Sequence, residues 1–212
     1  MKVNRIKLYT CLIFIIVLIV TFINPVYPHN QLLQHVGTLL LMIPIVHDLL
    51  KDRMPYPAFL GIVVFAILHV VGARYIYSYV PYKEWITSTG IVDADFFGST
   101  RNHYDRFVHF MFGFLLFPYL MYLCRKCLNQ NYMVAILFSW LAIQTGSMVY
   151  ELFEWLLTIL VSPEEADSYN GQQGDIWDAQ KDMALAMIGS TIPALWYMCK
   201  RTLKRKYNTK CR

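Results

Sequence analysis

Charged residues are scarce in this sequence, and their scarcity excludes an ordinary soluble domain. Asp, Glu, Lys and Arg make up 16% of the 212 residues, whereas 57% are hydrophobic. Soluble domains average about 25% charged residues. The mean hydropathy is +0.39, and the apolar residues fall in long runs. The composition therefore predicts an all-α, polytopic membrane helix bundle.

Cysteines are also few, and nothing in their placement indicates a disulfide framework. The chain has five, an odd number, in or beside apolar runs. Cys124 and Cys127 have CxxC spacing, but no second pair completes the roughly four ligands of a structural zinc site. The sequence also lacks a nucleophile motif and a phosphate-binding signature. The familiar soluble enzyme classes are therefore not indicated.

Six apolar runs approach or exceed the length needed to cross a bilayer core of about 30 Å. The predicted spans are residues 7–23, 36–50, 57–80, 104–123, 132–161 and 176–199, in a single integral membrane domain of residues 1–212. The first run has the basic start of a signal peptide. No small-residue cleavage site follows it, so we expect an uncleaved helix.

Basic residues are concentrated at alternate ends of the predicted spans. One set of ends carries 14 of the 19 Lys and Arg residues, and the opposite set carries 12 of the 14 acidic residues. Since Lys and Arg stay on the cytoplasmic side, we expect a bacterial plasma (inner) membrane protein with both termini in the cytoplasm. The basic C-terminal tail would contact anionic lipid headgroups, which explains the net charge of +5 without nucleic acid. The oligomeric state is left open.

Polar residues enter the fourth and third predicted spans from the opposite, extracytoplasmic side. Asn102, Asp105 and His109 have i, i+3, i+7 spacing and share one helical face. A capped helix start explains Asn102 and Asp105, but it does not explain why Arg106 and His109 continue into the membrane. The third span brings His69 and Arg74 to the same side. Arg74 is a natural partner for acidic groups, or reaches the headgroups by snorkelling.

The fifth predicted span carries a single polar stripe. Gln144, Ser147, Glu151 and Glu154 follow 3, 4, 3 spacing among apolar residues. Ionisable groups within a span usually face the bundle interior or a watery cavity. An early helix end, with both glutamates at the interface, is the alternative. The apolar residues that follow favour the embedded position.

The last predicted span begins with a third set of polar residues, in the stretch NGQQGDIWDAQKDM (170–183). Asp175, Asp178 and Asp182 share one helical face, and Lys181 lies beside them. Acidic residues at a helix N-terminus explain the first two, but Asp182 lies two turns into the helix. The polar groups of four spans are therefore expected to meet at the extracytoplasmic leaflet.

Four stretches resemble the YjdF family of bacterial inner-membrane proteins. They are HVVGARYIYSYVPY (69–82), RNHYDRFVHFMFGF (101–114), YELFEW (150–155) and GQQGDIWDAQKDM (171–183). The resemblance implies a multi-pass inner-membrane protein but supplies no reaction. A more distant likeness to VanZ-like membrane proteins rests on the order of Asp105 and His109, then Glu151, then Asp182 with Gly189.

One function that fits these residues is a metal-assisted enzyme acting on a lipid-linked or cell-envelope substrate. A histidine with several carboxylates could hold a divalent ion, and a buried glutamate could act as general acid or base. The catalytic candidates are Glu151, Glu154 and Asp105. The candidate metal ligands are His109, Asp105, Glu151, Asp175, Asp178 and Asp182. The candidate substrate-binding residues are Arg74, Asn102, Arg106, Gln173 and Lys181.

Two other functions remain open from the sequence. The polar residues could form a structural network in a non-catalytic accessory protein, since buried networks can serve packing alone. They could also line a small transporter or ion pathway along the stripe of the fifth span. No inverted repeat of the kind found in many transporters is visible.

Overall fold

The computed structural model describes residues 4–92, 101–160 and 173–210, with side chains described up to residue 203. These residues form helices joined by turns and contain no strand, which confirms the all-α prediction. The helices are α1 Arg5–Thr21, α2 Pro28–Lys51, α3 Tyr56–Arg74, α4 Tyr82–Thr87, α5 Tyr104–Tyr122, α6 Tyr132–Leu160 and α7 Asp178–Lys210. A π-helical turn, Leu123–Cys127, continues α5.

Four of the described helices are long and apolar enough to cross a membrane. They are α2, α3, α5 extended to Cys127, and α6. The first helix, α1, has 17 residues, and α7 carries a basic C-terminal half. A polytopic helix bundle is therefore supported, whereas the count of six spans stays a prediction. The distal tail residues, from Lys204 to Arg212, lie outside the described side chains.

Consecutive long helices run in opposite directions. At one end of the bundle, Lys7 of α1 bonds to Asp48 near the end of α2, and Arg125 and Arg201 both lie over the Tyr132 ring. We call this end, which carries Lys7, Lys51, Arg125 and Lys200, the basic end. The other end, which carries Arg74, Asp105, Glu151 and Asp178, is called the acidic end.

The largest differences between the helix boundaries and the predicted spans occur at three places. The second helix begins at Pro28 rather than residue 36. A proline is tolerated in the first turn of a helix. The polar Gln31 in this added segment is buried, and its Nε2 donates to the Thr21 carbonyl oxygen at 3.0 Å. The third span ends at Arg74 rather than residue 80. The last helix continues to Lys210, beyond the predicted residue 199.

The early end of α3 has a local cause. Ile76 and Tyr77 adopt positive φ angles of 43° and 56°, which turns the chain back toward the bundle. The Tyr77 ring then lies against Gly72, where a Cβ would meet the ring at 2.6 Å. The Tyr77 hydroxyl and His69 Nδ1 are 2.6 Å apart. The tyrosine-rich stretch is therefore a folded-back turn and not a last helical turn.

The fifth helix packs closely against α7, and this contact positions the candidate site. A Cβ at Gly113 of α5 would overlap the Ala186 carbonyl oxygen, and a Cβ at Gly189 of α7 would overlap the Phe110 carbonyl oxygen. The two backbones can approach closely because both positions lack a side chain. The acidic residues at the start of α7 consequently lie beside those at the start of α5.

The basic end contains a buried ion pair that the sequence did not indicate. Lys7 is 2% exposed, and its Nζ lies 2.6 Å from Asp48 Oδ2, 2.8 Å from Asp52 Oδ1 and 2.7 Å from the Met54 carbonyl oxygen. Asp48 Oδ1 accepts the backbone N–H groups of Arg53 and Met54. Hydrogen bonding to Lys7 also holds the pKa of Asp52 below its usual value.

Candidate functional site

Three helices bring four ionisable side chains together in the interior of the acidic end. Asp105 and His109 come from α5, Glu151 from α6 and Asp182 from α7, and all four are buried. We call these residues the acid–histidine cluster. One donor atom each of Asp105, His109 and Asp182 lie within 4.8 Å of one another. His109 Nε2 lies 3.4 Å from Glu151 Oε1 and 3.7 Å from Asp105 Oδ1.

The helical spacing of these residues explains why they meet. Asp105 and His109 are four residues apart on α5, and Asp178 and Asp182 are four apart on α7, so each pair occupies one face. The polar stripe on α6 also faces α7 farther from the acidic end, where Gln144 Nε2 donates to Ser190 Oγ at 3.0 Å. The structure thus brings together the polar faces of α5, α6 and α7, but not Arg74 of α3, which was expected to join them.

Several buried oxygen atoms of this region have no hydrogen-bond partner. They are Asp182 Oδ1, Glu151 Oε1 and, one turn below Glu151 on α6, Ser147 Oγ. Asp182 is only 2% exposed and Glu151 only 7%. A buried polar atom without a partner costs free energy, and such atoms in a folded protein call for an explanation by function, water or an ion.

A layer of ion pairs lies next to the cluster and includes two of the predicted metal ligands. Asp178 pairs with Arg101 and, at 3.1 Å, with Arg106. Asp175 pairs with Arg106 and Lys181. We call these five residues the ion-pair layer. The structure therefore places Asp175 and Asp178 with arginine and lysine, whereas Asp105 and Glu151 lie beside His109.

Charges of the ion-pair layer help to shift the pKa values of two residues outside the helices, Asp175 and His103. A hydrogen bond from Lys181, with another from the Trp177 backbone N–H, holds the pKa of Asp175 well below its usual value. Burial lowers the pKa of His103, the residue before α5, and the nearby Arg106, Arg101 and Lys83 charges lower it further. Asp175 is accordingly ionised and His103 neutral at pH 7.

Asn102 and Gln173 join two chain segments at the edge of this region. The Asn102 backbone N–H donates to Gln173 Oε1 at 2.9 Å, and Gln173 Nε2 donates to the Asn102 carbonyl oxygen at 3.0 Å. Asn102 Nδ2 also donates to the Val80 carbonyl oxygen at 2.8 Å. These contacts anchor the chain before α7 to the start of α5. Their substrate-binding role stays a prediction.

Arg74 binds the end of α1 rather than the acid–histidine cluster. Its Nη1 donates to carbonyl oxygens at the end of α1, including Val20 at 2.8 Å, Thr21 and Ile23. A cation near the C-terminal carbonyls of a helix interacts favourably with the helix dipole. Arg74 therefore caps α1, and the structure gives it no contact with the carboxylates that it was expected to pair with.

Glu154 lies at the edge of the acid–histidine cluster. It is half-buried and interacts with Glu151 and the Tyr150 side chain. The helix α6 continues beyond it to Leu160. Glu151 is buried between α5 and α6, and its embedded position in the membrane stays a prediction.

A cavity of about 280 Å³ adjoins the cluster on the side of α2 and α3. Its wall is mainly apolar, including Leu40, Phe65 and Phe112, and His109 is part of it. The His109 and Tyr150 rings meet edge to face at 5.8 Å between centroids. His109 thus borders both the carboxylates and an apolar chamber inside the helix bundle.

Comparison with known proteins places the chain in a family. A family model described as "Predicted membrane protein (DUF2238)" matches residues 6–202. The chain belongs to this family. It is also 34% identical over 146 residues to inner membrane protein YjdF of Escherichia coli strain K12. That alignment covers 65% of the chain and 64% of the relative, which is less than two thirds of the relative's length. No solved structure matches the chain.

These matches confirm the resemblance to the YjdF family and, with the apolar helices, a multi-pass membrane protein. They assign no site to the DUF2238 family member described here. Sequence reasoning missed the cavity, which is lined by Gly37 on α2 and Gly146 on α6. The available signal was a glycine on an apolar helix, which marks a place where space or close approach is needed.

Proposed function

We propose that this protein is a metal-assisted membrane enzyme of the bacterial inner membrane that acts on a lipid-linked or envelope substrate at the extracytoplasmic leaflet. The orientation rests on the Lys and Arg distribution, which favours cytoplasmic termini and an extracytoplasmic acidic end. The inner-membrane location is supported by the similarity to the Escherichia coli protein. The catalytic centre would be the acid–histidine cluster.

The observation that carries the proposal is the spacing of the donor atoms. His109 Nε2 is 3.4 Å from Glu151 Oε1 and 3.7 Å from Asp105 Oδ1. These separations are long for hydrogen bonds. Ligand atoms about 2.0–2.2 Å from a tetrahedral ion lie about 3.3–3.6 Å from one another. The separation of His109 from Asp105 is close to that range, and one donor atom each of Asp105, His109 and Asp182 lie within 4.8 Å of one another, which supports a shared ion.

Burial and charge support the same conclusion. Asp105, Glu151 and Asp182 place three carboxyl groups in a low-dielectric interior, where like charges repel strongly. Arg106, the nearest arginine in sequence, is engaged by Asp175 and Asp178. A bound cation would neutralise the cluster and would satisfy Asp182 Oδ1, which has no hydrogen-bond partner. One imidazole and several carboxylates suit zinc or manganese.

Asp105, His109 and Asp182 would hold the ion, which would supply a water molecule activated for attack on an ester or phosphoester. Glu151 would then accept the proton of that water, because its Oε1 is buried without a hydrogen-bond partner and lies close to His109. A general base must lie within reach of the proton that it removes. The short distance between Glu151 and His109 supports that role.

The apolar cavity favours a substrate that carries a hydrocarbon chain. The chamber is bordered by α2, α3, α5 and α6, and its polar contacts include His109, Ser147 and Tyr150. A lipid chain in the chamber would place its polar end toward His109. Apolar pockets with a few polar groups at one position are typical of ligand sites. The cavity volume suits part of one chain rather than a whole diacyl lipid.

Metal analysis of the purified protein tests the proposal. We expect stoichiometric zinc or manganese in the wild type and loss of the metal in His109→Ala and Asp182→Asn. Arg74→Gln is the matched control, because it loosens the α1 cap without touching the cluster. It should lower thermal stability and keep the metal. A folded wild type that neither copurifies with these ions nor binds them on titration would refute the metal centre.

A structural network is the second candidate, and the ion-pair layer favours it. Arg101 and Arg106 join the start of α5 to Asp178 of α7 and Asp175 before it. If the polar groups serve packing alone, His109→Ala and Asp182→Asn will reduce thermal stability in protein that never binds metal. Hydrolysis of a lipid-linked ester that depends on added metal and on Glu151 would decide for the enzyme.

A further inference from the structure

A second cavity lies at the opposite, basic end of the bundle. This groove has a volume of about 710 Å³ and is bordered by the start of α3, the end of α5 and the second half of α7. Its apolar wall includes Phe114, Leu115 and Ile192, and Pro118 and Pro193 lie within its two long helices. It is separate from the acid–histidine cluster and shares no lining residue with it.

Cations gather where the groove reaches the basic end. Arg125, Lys126 and Lys200 all border it, and its described lining includes no Asp or Glu. Arg125 and Lys126 lie on the π-helical turn that ends α5, and such turns are frequent at functional sites. One end of the groove therefore carries three positive charges, whereas its walls are apolar.

Aromatic side chains lie against two of these cations at the rim of the groove. Lys200 Nζ lies 4.7 Å from the centroid of the Trp196 ring, and the Arg125 guanidinium lies 5.8 Å from that of Tyr132. Trp196 is 55% exposed and lines the groove. Trp and Tyr are enriched at the headgroup level of membranes. The rim of the groove therefore has the composition of a lipid–water interface.

A neighbouring arginine adds an unsatisfied donor. Arg201 lies 5.5 Å from the centroid of the Tyr132 ring, which lines the groove, and its buried Nη1 has no hydrogen-bond partner. A guanidinium is suited to phosphate oxygens because it presents several N–H groups in a fixed plane. The region thus offers both positive charge and a free N–H group close to an apolar groove.

We propose that this groove binds an anionic diacyl phospholipid of the leaflet at the basic end. The phosphate would contact Lys126, Lys200 and Arg125, and the acyl chains would lie along α5 and α7. Charge complementarity selects this occupant over a zwitterionic lipid, because basic pockets between helices bind anionic headgroups. In the proposed orientation of the protein, this leaflet is the cytoplasmic one.

Quenching of Trp196 fluorescence by brominated lipids tests the site directly. Bromine quenches tryptophan by contact, and the difference between wild type and Trp196→Phe isolates the Trp196 signal. In bilayers that contain either brominated phosphatidylglycerol or brominated phosphatidylcholine, we expect at least about tenfold tighter apparent binding of phosphatidylglycerol near Trp196. Equal quenching of the Trp196 difference signal by the two lipids would overturn the proposal.

Paired charge variants distinguish lipid binding in the groove from general electrostatic attraction of anionic lipid to the basic end. Lys126→Gln with Lys200→Gln should abolish the preference for phosphatidylglycerol. Lys51→Gln with Arg53→Gln removes the same charge from exposed positions on the same end, outside the groove, and should leave the preference intact. If the two pairs reduce the preference equally, no specific lipid site exists here.

Two further outcomes would assign the groove to another occupant and overturn the proposal. Loss of the lipid preference in millimolar inorganic phosphate would indicate a site for a soluble anion. Crosslinking through Lys126 and Lys200 that yields a dimer in the bilayer, with no quenching at Trp196 by either lipid, would indicate that a second copy of the chain covers the groove.

Discussion

His109 Nε2 and Glu151 Oε1 lie 3.4 Å apart across the contact between α5 and α6. Both side chains are buried, yet Glu151 Oε1 receives no hydrogen bond. Asp182 presents a second buried oxygen without a partner from α7. If these atoms are ligands of one ion, as proposed, the cluster will respond to added cations.

Added zinc or manganese should raise the thermal stability of the wild type. An ion that binds only the folded state contributes about 2.7 kcal/mol at 100 times its Kd. Asp182→Asn and Glu151→Gln should reduce this stabilisation, with apparent Kd values raised at least about tenfold. Glu154→Gln, which alters the half-buried neighbour, is the control and should retain most of the effect. A wild type whose unfolding temperature does not respond to either ion would contradict the prediction.

Loss of Lys7 should strongly destabilise the protein. Lys7→Met leaves Asp48 buried without its cation, and breaking a buried pair costs about 3–5 kcal/mol. The double variant Lys7→Met with Asp48→Asn should recover much of that loss, since neither charge then remains. Unfolding in detergent measures both values.

Asp52 supplies the control for the Lys7 prediction. Its side chain is 43% exposed, so Asp52→Asn should cost less than about 1 kcal/mol. Similar losses for Lys7→Met and Asp52→Asn would mean that the buried contact with Asp48 contributes little.

The contact between α5 and α7 should tolerate no added methyl group. Gly113→Ala and Gly189→Ala place a Cβ on carbonyl oxygens of the facing helix, and overpacking of this kind costs about 1–3 kcal/mol. Gly146→Ala is the matched control, because its Cβ would meet only the Phe112 ring edge at 3.0 Å, and a side chain can shift. Thermal unfolding of the three variants should separate them, and equal losses would argue against close α5–α7 packing.

Acid should weaken the ion-pair layer through Asp175. Its pKa is lowered in the folded state, first by Lys181 and then by the Trp177 backbone N–H. The resulting stabilisation is fully present above the ordinary carboxyl pKa of about 3.9 and is lost as the pH falls toward the folded-state pKa. Asp175→Asn should therefore lose stability less steeply than the wild type between about pH 5 and pH 2.5.

Two lysine variants check the cause of this pH dependence. Lys181→Met should flatten the same part of the stability profile, because Lys181 is the main partner of Asp175. Lys83→Met removes an equal charge from the acidic end, where Lys83 Nζ donates to the Arg101 carbonyl oxygen, and should keep the wild-type slope. Identical slopes for Lys181→Met and the wild type would show that another group dominates acid unfolding.

Much of the architecture was predictable because it depends on local pattern. Apolar runs predicted the long helices, and i, i+4 spacing correctly placed Asp105 with His109 on one face. The polar stripe on α6 places Ser147 and Glu151 in the interior of the bundle. Boundaries were less predictable, because the end of α3 depends on Tyr77 folding back onto Gly72, a contact between side chain and backbone that no periodicity encodes.

By itself the sequence determined the helical membrane class, the separation of basic from acidic ends and the polar faces that α5, α6 and α7 direct inward. Those properties follow from hydropathy and helical period. The tertiary structure alone decided the partner of each ion. Arg74 caps α1, Asp175 and Asp178 pair with Arg and Lys, and Lys7 is buried against Asp48. Partner choice depends on distances between helices, and those distances are set by packing at positions such as Gly113 and Gly189.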